Sequence, residues 1–224
     1  MPQLVSESDW FGRVDAAVAG GRSRATKLEA VAGFIRSCRL CGLWQGRRHA
    51  VPGEGDAAAA LMIVSEGPGA SEDAAGRPFA GRAGGQLELM LSGAGIDRQQ
   101  VFITNVVKCR AAERGEEGRR RNRAPRAAEV RACHPYLTRQ VALVRPRVIL
   151  CLGSHAGKGL LGPGFTIGKQ RGRWFEGPYE AVIIATYHPS FVKRGGGPSV
   201  SGARLAGQVR RDLEQVGRRL AAQT

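Results

Sequence analysis

The sequence predicts an α/β fold with three layers, α/β/α, built on a central, mostly parallel sheet of four strands. Short apolar runs alternate along the chain with segments of helical periodicity, which is typical of a parallel sheet covered on both faces. Polar or glycine-rich turns follow these apolar runs and mark the strand ends. The predicted strands span residues 59–64, 101–105, 148–152 and 181–186.

Apolar residues at helical spacing predict the helices that cover this sheet. Two helices are expected between Trp10 and Ile35, with a break at Gly20-Gly21. Further helices are predicted over residues 85–94, 127–144, 154–161 and 203–221. We therefore expect an N-terminal helical segment over residues 1–36 and one domain over residues 37–224.

The chain of 224 residues is strongly basic, with a formal net charge of +15, and its 42% of hydrophobic residues suffices for an ordinary core. Such a surplus of Lys and Arg favours nucleic acid as the partner, the alternative being a charge that serves only solubility. The first residues are polar and lack the pattern of a secretory signal. No apolar run approaches the roughly 18 residues of a membrane span. We expect a cytoplasmic protein that does not enter a membrane.

Four of the five cysteines are candidate metal ligands. Cys38 and Cys41 form a Cys-x-x-Cys pair, Cys109 follows a strand and Cys133 lies in the next helix. Four thiolates can hold either zinc or a [4Fe–4S] cluster, and the spacing alone does not choose between them. The alternative is four unrelated buried cysteines. Cys151 lies in the middle of an apolar strand and is expected in the core.

Three polar turns come directly after predicted strands, at residues 65–69, 104–105 and 187–190. In open α/β sheets ligands bind at the carboxyl ends of the strands, so these turns are expected to line one cleft. Residues 110–126 are rich in Arg, Glu and Gly and predict a mobile loop. That loop is either a solvated insertion or a flap that contacts DNA.

Several motifs in a fixed order resemble the family 4 uracil-DNA glycosylases, iron–sulfur members of the wider uracil glycosylase superfamily. The resemblance runs from about Cys38 to the C-terminal helix. It rests on Cys38-x-x-Cys41 with Val51-Pro52-Gly53-Glu54-Gly55-Asp56, on Glu66-Gly67-Pro68-Gly69-Ala70-Ser71-Glu72-Asp73, on residues 76–84, on Thr104-Asn105-Val106-Val107-Lys108-Cys109, on Asn122-Arg123-Ala124-Pro125 and on His188-Pro189-Ser190.

The resemblance implies a DNA repair hydrolase, and we expect it to be a monomer. It would flip uracil out of DNA and hydrolyse the N-glycosidic bond, leaving an abasic site. It also implies that Cys38, Cys41, Cys109 and Cys133 hold a structural [4Fe–4S] cluster. The alternatives are an iron–sulfur protein that excises another deaminated base, such as hypoxanthine or xanthine, and one that binds uracil-containing DNA without turnover.

The matched positions also imply roles for single residues. Asn105 reads the O4 and N3 edge of uracil with its amide, and Phe79 stacks on the base. His188 hydrogen-bonds uracil O2 as negative charge develops there, aided by backbone N–H groups of Ser65, Glu66 and Gly67. Glu66 and Glu72 orient the attacking water or stabilise the sugar cation; alternatively, both satisfy loop amides. The expected DNA contacts are Ser190, Phe191, Val192, Lys193 and Arg194.

Two positions depart from the family pattern. Ser65 stands where a glycine is usual, and we expect this change to alter the backbone of the turn. The basic stretch at residues 111–121 is longer than usual and contains no histidine. A related branch carries in this place a histidine that bonds covalently to DNA, and we expect no such trapping here.

Overall fold

The computed structural model describes residues 6–115, 118–193, 195 and 202–222. Its helices are α1 (Glu7–Ala19), α2 (Arg24–Ser37), α3 (Ala70–Ala75), α4 (Arg82–Ser92), α5 (Ala127–Val144), α6 (Ser154–Leu161), α7 (Ile167–Gln170), α8 (Pro189–Lys193) and α9 (Gly202–Ala221). Its strands are β1 (Glu54–Gly55), β2 (Leu61–Ser65), β3 (Val101–Asn105), β4 (Ala112–Arg114), β5 (Arg120–Asn122), β6 (Val148–Leu152), β7 (Trp174–Glu176) and β8 (Val182–Thr186).

The main sheet has six strands in the order β1-β3-β2-β6-β8-β7. The four central strands are parallel, with Ser65 opposite Asn105 and Leu152 opposite Thr186 at their carboxyl ends. The edge strands β1 and β7 run antiparallel to their neighbours. Because the central strands share one direction, the turns that follow them emerge at one edge of the sheet.

Both faces of the sheet are covered, which confirms the predicted three layers. Along β2, Leu61 and Ile63 face a core formed with α4 and α9, whereas Met62 and Val64 face a core formed with α1, α2 and α5. Alternate side chains of a strand point to opposite faces, so an all-apolar strand needs a cover on each side. The four central strands are therefore buried along their length, except at Val182, where β8 begins.

The prediction of four strands was incomplete, because it missed the two edge strands. β1 is only two residues long and polar, and β7 has three residues bounded by turns. Neither carries the apolar run that marks a buried strand. Both lie at the sheet edges, where short polar strands are common.

The described part of residues 110–126 contains a hairpin, where the sequence predicted a loop without strands. Strands β4 and β5 form an antiparallel hairpin, with Ala112 opposite Asn122. Arg110 Nε donates to Asn122 Oδ1 at 2.7 Å and so links the chain before β4 to the last residue of β5. Because every β5 residue is exposed, the hairpin lacks the apolar alternation by which a strand is recognised in a sequence.

The N-terminal helices α1 and α2 separate at Gly20-Gly21 as predicted, and both pack on the core. Trp10 of α1 meets Phe34 of α2 edge to face, at 5.5 Å between ring centroids. The Trp10 indole N–H also donates to the Tyr136 hydroxyl of α5. Of the helices that the structure describes, none is long and apolar enough to cross a membrane.

Candidate active site

A cleft of ≈ 1010 Å³ lies at the carboxyl ends of the four parallel strands. The turns after β2, β3, β6 and β8 all reach it, which confirms that the predicted strand-end turns line one hollow. The cleft brings together most of the predicted site residues, namely Ser65, Glu66, Gly67, Glu72, Phe79, Asn105, His188, Ser190 and Phe191.

The turn after β2 is held against the turn after β3 by two backbone hydrogen bonds. Val106 N–H donates to Ser65 O at 2.8 Å, and Val107 N–H donates to Glu66 O at 3.1 Å. Gly67 must lack a side chain here, because a Cβ would lie 2.6 Å from a methyl group of Val107. Ser65 has a negative φ, so serine replaces the usual glycine without backbone strain.

Phe79 enters the cleft through an unusual backbone conformation. Its φ is 53°, in the left-handed region that residues with a Cβ rarely adopt. The Phe79 carbonyl oxygen lies so close to Gly84 that a Cβ at Gly84 would be 1.8 Å from it. Strained residues of this kind are often found at binding sites, where the surrounding structure holds them in place.

His188 follows β8 and stacks on Phe79, with 5.8 Å between ring centroids and 20° between ring planes. The backbone N–H of Ser190 donates to His188 Nδ1 at 3.1 Å, and the Ser190 hydroxyl lies 2.8 Å from the same nitrogen. An N–H group can only donate, so Nδ1 is the acceptor and the neutral ring carries its proton on Nε2.

The Glu66 carboxylate pairs with His155, a residue that the sequence analysis missed. His155 Nδ1 lies 2.9 Å from Glu66 Oε2, and both side chains line the cleft. Burial raises the pKa of the Glu66 carboxyl, and the neighbouring His155 opposes that rise. His155 lies in the first turn of α6, directly after β6. Its place after a parallel strand was the signal that could have revealed it.

The second candidate carboxylate, Glu72, caps its own helix. Gly69 N–H donates to Glu72 Oε2 at 3.1 Å at the start of α3. Glu72 also lines the cleft. One carboxylate oxygen of Glu72 therefore accepts from a loop amide, which was the alternative expected from the sequence. The Glu72 side chain nevertheless remains beside the site.

Asn105 ends β3 with only 3% of its surface exposed, and it lines the cleft. The main-chain carbonyl oxygen of Asn105 accepts a hydrogen bond from Lys108 Nζ at 2.7 Å. Lys108 is completely buried, which lowers the pKa of its ammonium group to about 7, while Cys133 acts in the opposite direction. This lysine lies in a motif that the sequence analysis quoted, but no function was assigned to it.

The residues expected to contact DNA lie in different environments. Phe191 lines the cleft and packs on Tyr187, whereas Val192 is 8% exposed and packs in the core. The Ser190 hydroxyl is engaged with His188. The side chain of Lys193 and the whole of Arg194 lie outside the described residues. Of the two neighbouring apolar residues, Phe191 is therefore open to the cleft, whereas Val192 is buried.

The four candidate ligand cysteines surround one hollow beneath α2 and α5, which they line together with apolar side chains and Arg47. Each sulfur has a donor beside it: Tyr136 hydroxyl for Cys38, Leu43 N–H for Cys41, Arg47 for Cys109 and Lys108 N–H for Cys133. In the described part of the chain, no three Cys, His, Asp or Glu side chains are close enough to hold one metal ion. Cys151 is buried in β6, as predicted.

Comparison with known protein families shows the family to which this chain belongs. The sequence model of the "Uracil DNA glycosylase superfamily" matches residues 52–204, well over half of the chain. A type-4 uracil-DNA glycosylase of Sulfurisphaera tokodaii is 43% identical over 171 residues, which cover 73% of this chain and 74% of the relative. This chain belongs to the type-4 uracil-DNA glycosylases.

Other comparisons agree with this membership. A type-4 uracil-DNA glycosylase of Thermotoga maritima is 37% identical over 173 residues, covering 77% of this chain and 86% of the relative. A type-5 uracil-DNA glycosylase of Pyrobaculum aerophilum is only 28% identical. The crystal structure of Pedobacter heparinus SMUG2 has a TM-score of 0.50 at 13% identity, covering 73% of this chain and 75% of that one. At this low identity, the likeness concerns the fold alone.

Proposed function

We propose that this type-4 glycosylase flips uracil out of DNA and hydrolyses its N-glycosidic bond, leaving an abasic site. The observation that carries the proposal is the meeting of Asn105, Phe79 and His188 in one cleft at the strand ends. Enzymes that act on a base must take it out of the stack into such a pocket. Binding alone does not require a group placed to stabilise a departing anion.

Asn105 is the residue proposed to read the base. Its side-chain amide offers one donor and one acceptor, which match uracil O4 and N3–H. Cytosine presents the reverse pattern at this edge and would leave buried polar groups unpaired, each costing about 1–3 kcal/mol. Asn105 is only 3% exposed, so water cannot bond to the polar groups that cytosine would leave unpaired. The mismatch therefore keeps its full cost, and cytosine is rejected.

His188 is proposed to stabilise the leaving group. Breaking the glycosidic bond places negative charge on uracil O2, and a donor held in advance at that atom lowers the barrier. The Ser190 contacts leave the proton of the neutral ring on Nε2, which is the form that can donate to O2. Backbone N–H groups of the turn at residues 65–69 lie in the same cleft and are proposed as further donors.

Glu66 is proposed to stabilise the positive charge that develops on the sugar, or to orient the attacking water. Its carboxylate lines the cleft and is held by His155. Glu72 is proposed as a secondary contributor, since one of its oxygens already accepts from Gly69. A carboxylate beside a forming oxocarbenium ion acts through its charge, with no need for covalent contact.

We propose that Cys38, Cys41, Cys109 and Cys133 hold a [4Fe–4S] cluster. The donor set fits, because four sulfurs from separate segments line one apolar hollow and each has an N–H or O–H donor nearby. When bound, the cluster would supply cross-links between these segments.

Uracil-containing DNA is the proposed partner, and the basic hairpin is proposed as part of its surface. Arg119, Arg120 and Arg121 are exposed, and Asn122 and Arg123 line the cleft next to them. Phosphate contacts from such residues give sequence-independent affinity. Phe191 is proposed to fill the gap left by the flipped base. The monomeric state and the cytoplasmic location expected from the sequence remain predictions.

Replacing Asn105 with alanine tests the proposal. We expect Asn105→Ala to lower single-turnover excision of uracil at least about tenfold, because one or two directed hydrogen bonds to the base are lost. Gln86→Ala is the matched control, since Gln86 of α4 lines the same cleft and has no proposed role. Wild-type rates for Asn105→Ala would refute the reading role.

The substrate class is tested with oligonucleotides that carry uracil, hypoxanthine or xanthine, as single strands and against each partner base. Alkali cleavage of the abasic product measures excision. Uracil should be the preferred substrate. Faster release of hypoxanthine or xanthine would favour the alternative glycosylase, and tight binding without any product would favour a uracil-binding protein.

A further inference from the structure

Lys108 is an unusual residue, because it is a lysine with 1% of its surface exposed next to the candidate active site. Lysine is almost never fully buried unless its charge is paired. Its ammonium nitrogen donates to Thr104 Oγ1 at 2.7 Å, to Asn105 O at 2.7 Å and to Gln140 Oε1 at 2.6 Å. It therefore joins β3 to α5 directly behind the proposed uracil-reading residue.

The three partners are all oriented as acceptors. Gln140 Nε2 donates to Pro52 O at 2.7 Å, which turns the amide oxygen of Gln140 toward the lysine. The Thr104 hydroxyl donates to Pro52 O at 2.9 Å and so offers its lone pairs to the lysine. Three acceptors match the three N–H bonds of an ammonium group, whereas a neutral amine has only two.

Lys108 also borders the cysteine side of the molecule. Among residues 6–115 and 118–193, no carboxylate forms an ion pair with Lys108. Its backbone N–H donates to Cys133 Sγ at 3.2 Å, and Lys108 lines the hollow that the four candidate ligand cysteines share. The lysine therefore lies between that hollow and the residue proposed to read uracil.

We propose that Lys108 is a positioning residue for uracil recognition: its ammonium holds the Asn105 main chain so that the Asn105 amide meets the base edge. The inference deepens the proposed function and rests on Asn105 reading uracil. Groups that read a base must be held within a fraction of an ångström, and packing with directed hydrogen bonds does so. Lys108 itself does not line the cleft.

A double-mutant cycle tests this assignment. Lys108→Met keeps the length of the side chain but removes all three donors. We expect it to reduce single-turnover excision roughly tenfold in the wild-type background, as for loss of a charged hydrogen bond. In the Asn105→Ala background it should change the rate less than about twofold, because the residue through which it acts is already gone.

Tyr136→Phe is the matched control, since Tyr136 is also buried and contacts Cys38 but lies away from Asn105. Any loss that it causes should be the same in both backgrounds. Binding to an oligonucleotide with an abasic site, measured by fluorescence anisotropy, should be unchanged by Lys108→Met. Absorbance near 400 nm per protein reports whether each variant has the cluster content of the parent.

The outcomes separate the inference from the proposed function. If Asn105→Ala is active, the proposed reading role fails and this inference fails with it. If Asn105→Ala is impaired but Lys108→Met reduces the rate by the same factor in both backgrounds, only the positioning role is overturned. Should Lys108→Met not fold, Thr104→Val removes one acceptor of the same ammonium, and its loss must likewise disappear in the Asn105→Ala background.

Discussion

The rings of Phe79 and His188 lie nearly parallel, with 20° between their planes and 5.8 Å between their centroids. One ring is the proposed stacking surface for uracil and the other is the proposed donor to its O2. Phe79 reaches this position only because its backbone is left-handed and Gly84 leaves room for its carbonyl. The stacking surface and the donor are thus held in one arrangement by two separate parts of the chain.

Phe79→Ala should weaken excision through loss of stacking. Base–aromatic stacking is worth about 1–3 kcal/mol, which corresponds to roughly a 5- to 150-fold lower kcat/KM. Phe79→Tyr keeps the ring and should retain most of the activity. A Phe79→Ala enzyme with unchanged kcat/KM on uracil-containing DNA would show that the base does not stack there.

His188→Ala should lower the single-turnover rate about 100-fold or more, since removal of one preorganised donor to a developing anion has an effect of this size. Affinity for uracil-containing DNA should be largely kept, as measured by anisotropy. Ser190→Ala removes one partner of His188 Nδ1 and keeps the backbone N–H, so its loss should be smaller. Loss of DNA binding alone in His188→Ala would contradict a catalytic role.

The pH dependence of excision should report Glu66. Burial raises the pKa of this carboxyl, so the carboxylate takes up a proton at a pH above the ordinary value of about 4.3. If the charged form stabilises the sugar, the rate falls as the pH drops through that raised pKa. His155 opposes the rise, so His155→Gln should move the acid limb of the profile to higher pH.

Glu66→Gln cannot ionise and should lose this acid limb, whereas Glu72→Gln should keep it. The absorbance near 400 nm must be constant over the pH range, so that loss of the cluster is not mistaken for protonation of Glu66. A His155→Gln profile that shifts to lower pH, or does not move, would contradict the proposed pairing.

The cluster should make the protein brown, with broad absorbance near 400 nm from thiolate-ligated iron. Cys109→Ser should lower this absorbance and the iron content, because one of four ligands is changed. Cys151→Ser is the control, since Cys151 is buried in β6 away from the hollow. Colourless wild-type protein with one zinc per chain would disprove the iron–sulfur assignment.

Asp212 of α9 should be important for stability. It is 2% exposed and accepts from Arg171 at 2.6 and 2.7 Å and from the Thr186 hydroxyl at 2.6 Å. Asp212→Ala should lower the free energy of unfolding by about 3 kcal/mol, since it leaves a largely buried cation unpaired. Urea unfolding followed by circular dichroism measures the change.

Glu29→Ala is the control for that prediction, because the Glu29–Arg36 pair is also a salt bridge but has both side chains more than half exposed. Exposed pairs contribute about 0–1 kcal/mol. Equal urea midpoints for the two variants would mean that burial does not strengthen the Asp212 pair.

The sequence predicts the sheet and the place of the site well, for a physical reason. A parallel strand must be apolar on both faces, so its run is easily recognised, and its polar end marks the cleft. Ser65, Asn105 and His188 were identified in this way. The resemblance to the family then implied their individual roles, which no spacing could give.

The remaining features depend on tertiary contacts that leave little trace in a sequence. The hairpin at β4 and β5 is exposed and polar, so no periodicity reveals it. Lys108 would ordinarily be placed at the surface, because burial of lysine requires acceptors from distant parts of the chain. Val192 beside Phe191 offers two apolar candidates for one contact, and only the packing of Val192 in the core separates them.

The family match begins at residue 52, yet Cys38 and Cys41 come before it and Trp10 donates to the Tyr136 hydroxyl from farther upstream. A shortened protein comprising only the matched region would therefore lack two of the four proposed sulfur ligands and would expose the ring that contacts Cys38. A piece able to hold the proposed cluster must consequently be longer than the piece that the family match delimits. The first two helices share a core with α5 and so support the helix that carries Cys133.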